Sequence, residues 1–178
     1  MIAPSADVSQ RASELRQAFD RSFAETQHFV PIETEDFLAI HVGGDPHMLR
    51  LLDVAGLYSD KKVTSLPSSV AALRGIAGFR GTMLPVYDLA ALLRYPRAEA
   101  PRWLAIAAEA PIALAFDAFD EHFRFPRAAI ASTAGSDSRE HVRQIVRADH
   151  WVRPIVHLPS IIAAIRTHIP DATSKKEQ

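Results

Sequence analysis

The feature that most constrains this chain is a weak internal repeat. Phe37-Leu38-Ala39-Ile40 is echoed 66 residues further on by Trp103-Leu104-Ala105-Ile106, and Leu84 to Leu93 is echoed 69 residues on by Arg153 to Ile162. Within the second pair a proline (Pro85, Pro154), a leucine (Leu89, Leu158) and the helix-cap position before it (Asp88, His157) recur in register, which favours a repeat over chance likeness between apolar strands. Between these anchors Leu51 to Val54 lines up loosely with Phe116 to Phe119. Self-similarity at a fixed period marks one supersecondary unit used twice. Two copies are too few for a solenoid and suit a pseudo-symmetric pair of small barrels. A unit of about 60 residues is marginal alone, so the pair is expected to share an interface.

The local pattern is that of strands. Phe37 to Val42 is an apolar run ending at Gly43-Gly44-Asp45-Pro46, and Met48 to Tyr58, Gly75 to Phe79 and Met83 to Tyr87 are further short runs. Gly, Pro and Asp between them point to a barrel or sandwich rather than a parallel sheet. Asp88 can cap a short helix, Leu89 to Leu93, that stops before Pro96. Ahead of all this, Val8, Ala12, Leu15, Phe19 and Phe23 recur at helical spacing over residues 7 to 28, with Asp7 and Gln10 placed as a capping box. That helix either packs on its own domain or docks a partner. Pro31 and the acidic residues Glu33, Glu35 and Asp36 separate it from the body, Ser132 to Ser138 forms a polar loop, and the last eight or so residues are too poor in apolar side chains to stay docked.

Composition removes most chemistries. The chain has 178 residues and no cysteine, which excludes disulfides, thiolate metal sites and cysteine nucleophiles. Its net charge of −1 lacks the basic excess of a nucleic-acid binder. No run approaches the length of a membrane span, and the N-terminus does not read as a signal peptide, so a cytoplasmic protein without direct membrane insertion is expected. Eight histidines are scattered without the spacing of a helical zinc site. No phosphate-cradling loop and no nucleophile elbow occur, and Gly75 to Gly81 does not carry the dinucleotide fingerprint. Asp117, Asp120 and Glu121 read as solvated strand edges. No catalytic residue, metal or cofactor is therefore expected. Arg74 and Arg80 each precede a glycine at the end of an apolar run, and either offers a forked donor to a partner carboxylate or is a plain turn residue.

From Asp36 to Leu93 the chain resembles the first half of the CheW-like domain, an adaptor of bacterial chemotaxis. The likeness rests on Asp36 to Ile40, the Gly43-Gly44 turn, Leu52-Asp53-Val54, Ser65-Leu66-Pro67 and above all Leu73-Arg74-Gly75-Ile76-Ala77-Gly78-Phe79-Arg80-Gly81-Thr82-Met83-Leu84-Pro85-Val86-Tyr87-Asp88-Leu89. Residues 103 to 162 fit more loosely. The resemblance implies an all-β fold of two pseudo-repeated SH3-like barrels packed together, with short helices after each barrel unit and the N-terminal amphipathic helix as an addition. It divides the chain into an extension (1–30), a CheW-like domain (36–168, with halves at 36–95 and 102–165) and a flexible tail (169–178).

It also implies a non-enzymatic adaptor in a chemotaxis or pilus-motility pathway, one that couples the cytoplasmic tip of methyl-accepting receptors to the regulatory domain of a CheA-type histidine kinase and is recruited to membrane receptor arrays. The family's receptor-coupling arginine falls on Arg80 and its partner-contact valine on Val54. Phe79 joins them only through its place beside the motif arginine. Two departures matter. The asparagine–leucine before the arginine is Gly78-Phe79 here, and the acidic residue two places after the valine is Gly56. Loss of a rim charge alters partner choice more than affinity. A non-standard partner, with the N-terminal helix making the chain a decoy or inhibitor, is the alternative, and a small-barrel enzyme stands behind both.

Overall fold

The structure, a computed structural model, describes residues 33–96, 101–133, 140–148 and 150–168, together with residues 11 and 16. The helix read over residues 7–28 lies outside the described residues apart from Arg11 and Arg16, as do the tail at 169–178 and most of the polar loop at 132–138.

The described residues are mostly strand. In chain order they are β1 (Thr34–Val42), β2 (Asp45–Arg50), β3 (Val54–Ser59), β4 (Leu73–Phe79), β5 (Thr82–Asp88), the short helix α1 (Leu89–Leu92), β6 (Trp103–Ala107), β7 (Ala113–Phe116), β8 (Ala118–Pro126), β9 (Ile130–Ser132), β10 (Val142–Ala148), β11 (Trp151–Val156) and the helix α2 (Leu158–His168). One sheet runs β8-β1-β2-β11-β10-β9 and the other β3-β6-β7-β5-β4. Each sheet therefore draws on both halves of the sequence. The first-half hairpin β1–β2 is inserted among second-half strands, and the second-half hairpin β6–β7 among first-half strands. The expectation that each half builds its own barrel is corrected accordingly. Hairpins are exchanged, so neither half can complete its sheet alone. The parallel pairings that seal the exchange fall at the repeated segments, Val86 against Ala113 in one sheet and Ile155 against Met48 in the other.

Among the described residues neither hydrogen-bonded ladder closes into a ring. Side chains nevertheless draw the open edges together. Tyr58 on edge strand β3 and Phe79 on edge strand β4 meet edge-on with ring centroids 5.1 Å apart. In the other sheet Phe123 and Phe125 of β8 and Ile130 of β9 pack on the same cluster as Phe37, Met48 and Ile155.

This curling explains why several strands read as unbroken apolar runs. In β1, Phe37 and Ala39 face the core of their own sheet, while Leu38, Ile40 and Val42 face the central cluster between the sheets. In β7, Ala113 and Ala115 face one core and Leu114 and Phe116 the other. A strand buried on both faces loses the polar-out alternation. The central cluster also takes Ile161, Ile162 and Ile165 from α2, each contributing about 1.5–3 kcal/mol by burial. The sheets thus share the interface that their marginal size demands.

Polar residues fix the ends. Asp88 caps α1 by accepting from the Ala91 amide at 3.3 Å. His157 caps α2 through Nδ1, which accepts from the Ser160 amide at 3.2 Å. β1 begins at Thr34, ahead of the apolar run, because the acidic residues that read as a separator are paired: Glu35 with Arg50 and Arg127, and Asp36 with Arg124 and His122. Asp120 lies against His41 and Arg153, and Asp117 accepts from the Gly44 amide, so both acids serve the strand edge.

Candidate interaction surface

Strand directions bring three connections to one end of the five-stranded sheet. β3 starts there, β6 turns into β7 there, and β4 turns into β5 there. The first of these carries Val54, the last Arg80.

Arg80 and Gly81 are the two turn residues of the β4–β5 hairpin, closed by the pair Phe79 and Thr82. Both have positive φ, +46° and +85°. A two-residue hairpin with two left-handed positions matches the twist of its strands and favours Asn-Gly. A side chain such as arginine costs roughly 1–2 kcal/mol in the left-handed region. Arg80 is exposed and makes no hydrogen bond or ion pair among the described residues. A strained residue that supports nothing in its own fold points outward to a function.

The hairpin also overhangs its sheet. Pairing of β5 with β7 begins only at Val86, so Thr82 to Pro85 project about 13 Å beyond it at 3.3 Å per residue. Pro85 has no amide hydrogen to offer along that free edge, which blunts it against strand addition. Below the overhang lies a cleft of about 410 Å³, walled by Met83 and Pro85, by Ala110 and Ile112 of the β6–β7 turn, and by Ile162 and Ile165 of α2. Met83 is 57% exposed at its mouth.

Val54 opens edge strand β3 opposite Ala107, just before a bulge between Val54 and Gly56. It is half-buried, with the tight turn Leu51–Asp53 ahead of it. Leu52 in that turn is 86% exposed. The turn is pinned by the Asp53 carbonyl, which accepts from the Ala108 amide at 2.9 Å. Burial pushes the Asp53 carboxyl up, with Arg50 opposing the shift. Leu51, Leu52 and Ala55 join Val54 in an apolar edge, and these three the sequence pattern did not mark as surface. The signal that could have found them is the doubled leucine, which breaks period-two alternation.

The structure separates the three expected site residues. Arg80 and Val54 lie at the same end of the sheet, on different connections. Phe79 is 3% exposed, packed on Tyr58 with Lys61 above both rings, so its side chain is core. It anchors the hairpin that carries Arg80 and presents no contact surface of its own. Gly56 is held by the same cluster: a Cβ there would come within 3.0 Å of the Tyr58 ring. An acid at this position would require Tyr58 to move. Arg74, by contrast with Arg80, is not a turn residue at all. It lies in β4 and donates at 2.7 Å to Asp88, which is fully buried. Among the described residues no group of three metal-ligating side chains occurs.

A curled two-sheet body with an exposed apolar edge and an unpaired arginine at one end defines a protein-interaction domain. The CheW-like domain model matches residues 36–166, and the chain belongs to that family, whose members are non-enzymatic adaptors and scaffolds of chemotaxis signalling. Among solved structures, the scaffolding protein TtCheW from Thermoanaerobacter tengcongensis has a similar fold. Its TM-score is 0.62 at 18% identity, over 70% of this chain and 89% of that one. No curated protein matches the sequence. Among the described residues no helix is long and apolar enough to cross a membrane.

Proposed function

We propose that this chain couples methyl-accepting chemotaxis receptors to a CheA-type histidine kinase. Residues 36–168 are the coupling domain and each curled sheet plays the part of one SH3-like barrel. The apolar edge around Leu52 and Val54 takes the kinase's regulatory domain, and Arg80 takes the receptor tip. The observation that carries this reading is the exposed, unpaired Arg80 held in a strained turn beside an apolar cleft. Flat apolar surface with one directional charge suits an adaptor, because a few anchors dominate such interfaces. Gly56, where the family carries an acid, narrows the choice of kinase rather than removing the docking edge.

The test is calorimetric titration of the full chain against CheA regulatory domains and against a receptor helical-hairpin tip. Kinase binding should be saturable, lost in Val54→Asp and Leu52→Asp, and kept in Arg80→Ala, whereas Arg80→Ala should lose the receptor tip. Leu52 is 86% exposed, so its variant separates lost docking from lost folding. Binding to neither partner by a chain with a native circular dichroism spectrum would overturn the coupling role. Removing residues 1–30 then tests the alternative: a gain in kinase affinity would mark that segment as an inhibitor.

A further inference from the structure

A second cleft, of about 570 Å³, opens on the other side of Ile165, between the β3–β4 connection, α1 and α2. That volume lies within the range of small-molecule sites. Its walls are Val70, Ala72, Leu92 and Ile165, and two nearly buried polar residues, Tyr87 and His141, line it as well.

Neither polar residue is fully used by the protein. Tyr87 is 3% exposed, and its hydroxyl makes no hydrogen bond among the described residues. Among the described residues the one sealed side-chain polar atom without a partner is Thr133 Oγ1, so the Tyr87 hydroxyl is accessible, and its residue lines both this cleft and the one below the β4–β5 overhang. His141 is 6% exposed, and its Nδ1 lies 2.9 Å from Ser160 Oγ. The Ser160 hydroxyl already donates its single hydrogen to the His157 carbonyl at 2.8 Å. The proton between His141 and Ser160 therefore sits on Nδ1, leaving Nε2 as a bare acceptor. Burial holds the ring below the usual histidine range, in the neutral form this requires. The same absence from the sealed atoms leaves Nε2 accessible, in a residue that lines the cleft. At the rim Arg94 and Glu140 pair at 2.7 Å and cancel each other's charge.

We infer that this cleft binds a small uncharged alcohol or phenol. Its apolar body covers the aliphatic walls, its O–H donates to His141 Nε2, and a hydroxyl oxygen accepts from Tyr87. Apolar walls supply affinity, and one unmet donor and acceptor supply selection for the hydroxyl. The site takes Val70, Tyr87 and Leu92 from the first half of the sequence and His141 and Ile165 from the second, so an occupant bridges the exchanged halves. The inference goes beyond receptor–kinase coupling and does not rest on it.

Titration of the ¹⁵N-labelled full chain with p-cresol, and with toluene as the matched compound lacking a hydroxyl, tests it without kinase or receptor. Saturable amide shifts should gather at Val70, Leu92, His141 and Ile165, with a Kd of about 1 mM for so small a ligand. Toluene should bind about thirtyfold more weakly, the net worth of two hydrogen bonds. Tyr87→Phe should weaken p-cresol and leave toluene unchanged. Equal affinities for the two compounds, shifts scattered over the surface, or a Tyr87→Phe variant that binds p-cresol normally would each overturn the inference. Should that variant fail to fold, the comparison of p-cresol with toluene on the native chain decides.

Discussion

Replacing Arg80 by asparagine should make the protein more stable and a poorer partner at once. The native residue sits at φ +46°, followed by Gly81 at +85°. Asparagine tolerates the left-handed region far better than arginine, and Asn-Gly is the preferred pair for such a turn. Arg80 makes no hydrogen bond or ion pair with the described residues that the substitution would break. The expected gain is therefore most of the strain, about 1 kcal/mol, which for a domain of this size raises Tm by about 2–4 °C. The lost guanidinium removes a charge-assisted contact to a partner worth about 1.5–3 kcal/mol, or roughly tenfold or more in affinity. Scanning calorimetry reads the first effect, and titration with a receptor helical-hairpin tip the second. Opposite signs are the signature of a strained functional residue. An unchanged or lower Tm would show that arginine is at ease in the turn, and full receptor binding by the variant would show that its charge is not used. Either result refutes the link drawn between strain and function.

Three further outcomes follow from the packing. Gly75→Ala should cost about 3–5 kcal/mol in urea unfolding, because φ is +144° and the new Cβ would collide with the Thr64 carbonyl, breaking the bridge between Thr64 and Ile76. Asp88→Ala should cost about 3–5 kcal/mol by the same measurement, since it removes the buried carboxylate that Arg74 donates to and uncaps α1. Acidification should destabilise the fold: burial lowers the pKa of both His141 and His157 from 6.5, so the unfolded chain takes up protons first and stability falls as pH drops from about 6.5 through their folded values. Urea midpoints at pH 7.5 and 5.5 measure that slope, and His157→Asn, which keeps a capping acceptor without a titrating ring, should flatten it.

What could be read in the sequence, and what could not, follows from the range of the interactions involved. The Arg80-Gly81 turn and the Asp88 cap are settled within a few residues, and both stand where the local pattern places them. The echo between Leu84–Leu93 and Arg153–Ile162 is also real chemistry, because each copy ends a strand, forms a parallel pairing and starts a helix. Which strands those copies join is not local. Met48 pairs with Ile155 across more than a hundred residues, and only that pairing shows that the halves exchange hairpins. Burial on both faces hides the same information. Phe79 lies in an apolar run beside an exposed arginine, and nothing in the run says that Tyr58 from another edge will cover it. Leu52 lies in an equally apolar run, and nothing there says that the turn at Leu51–Asp53 will push it into solvent. A continuous apolar strand thus conceals both its core and its docking residues. They become distinguishable only once curling has decided which face meets which sheet. The neutral pair of open groups, Tyr87 and His141, is further from local reading still, because the bareness of Nε2 depends on a hydroxyl at Ser160 that is itself committed to a helix cap.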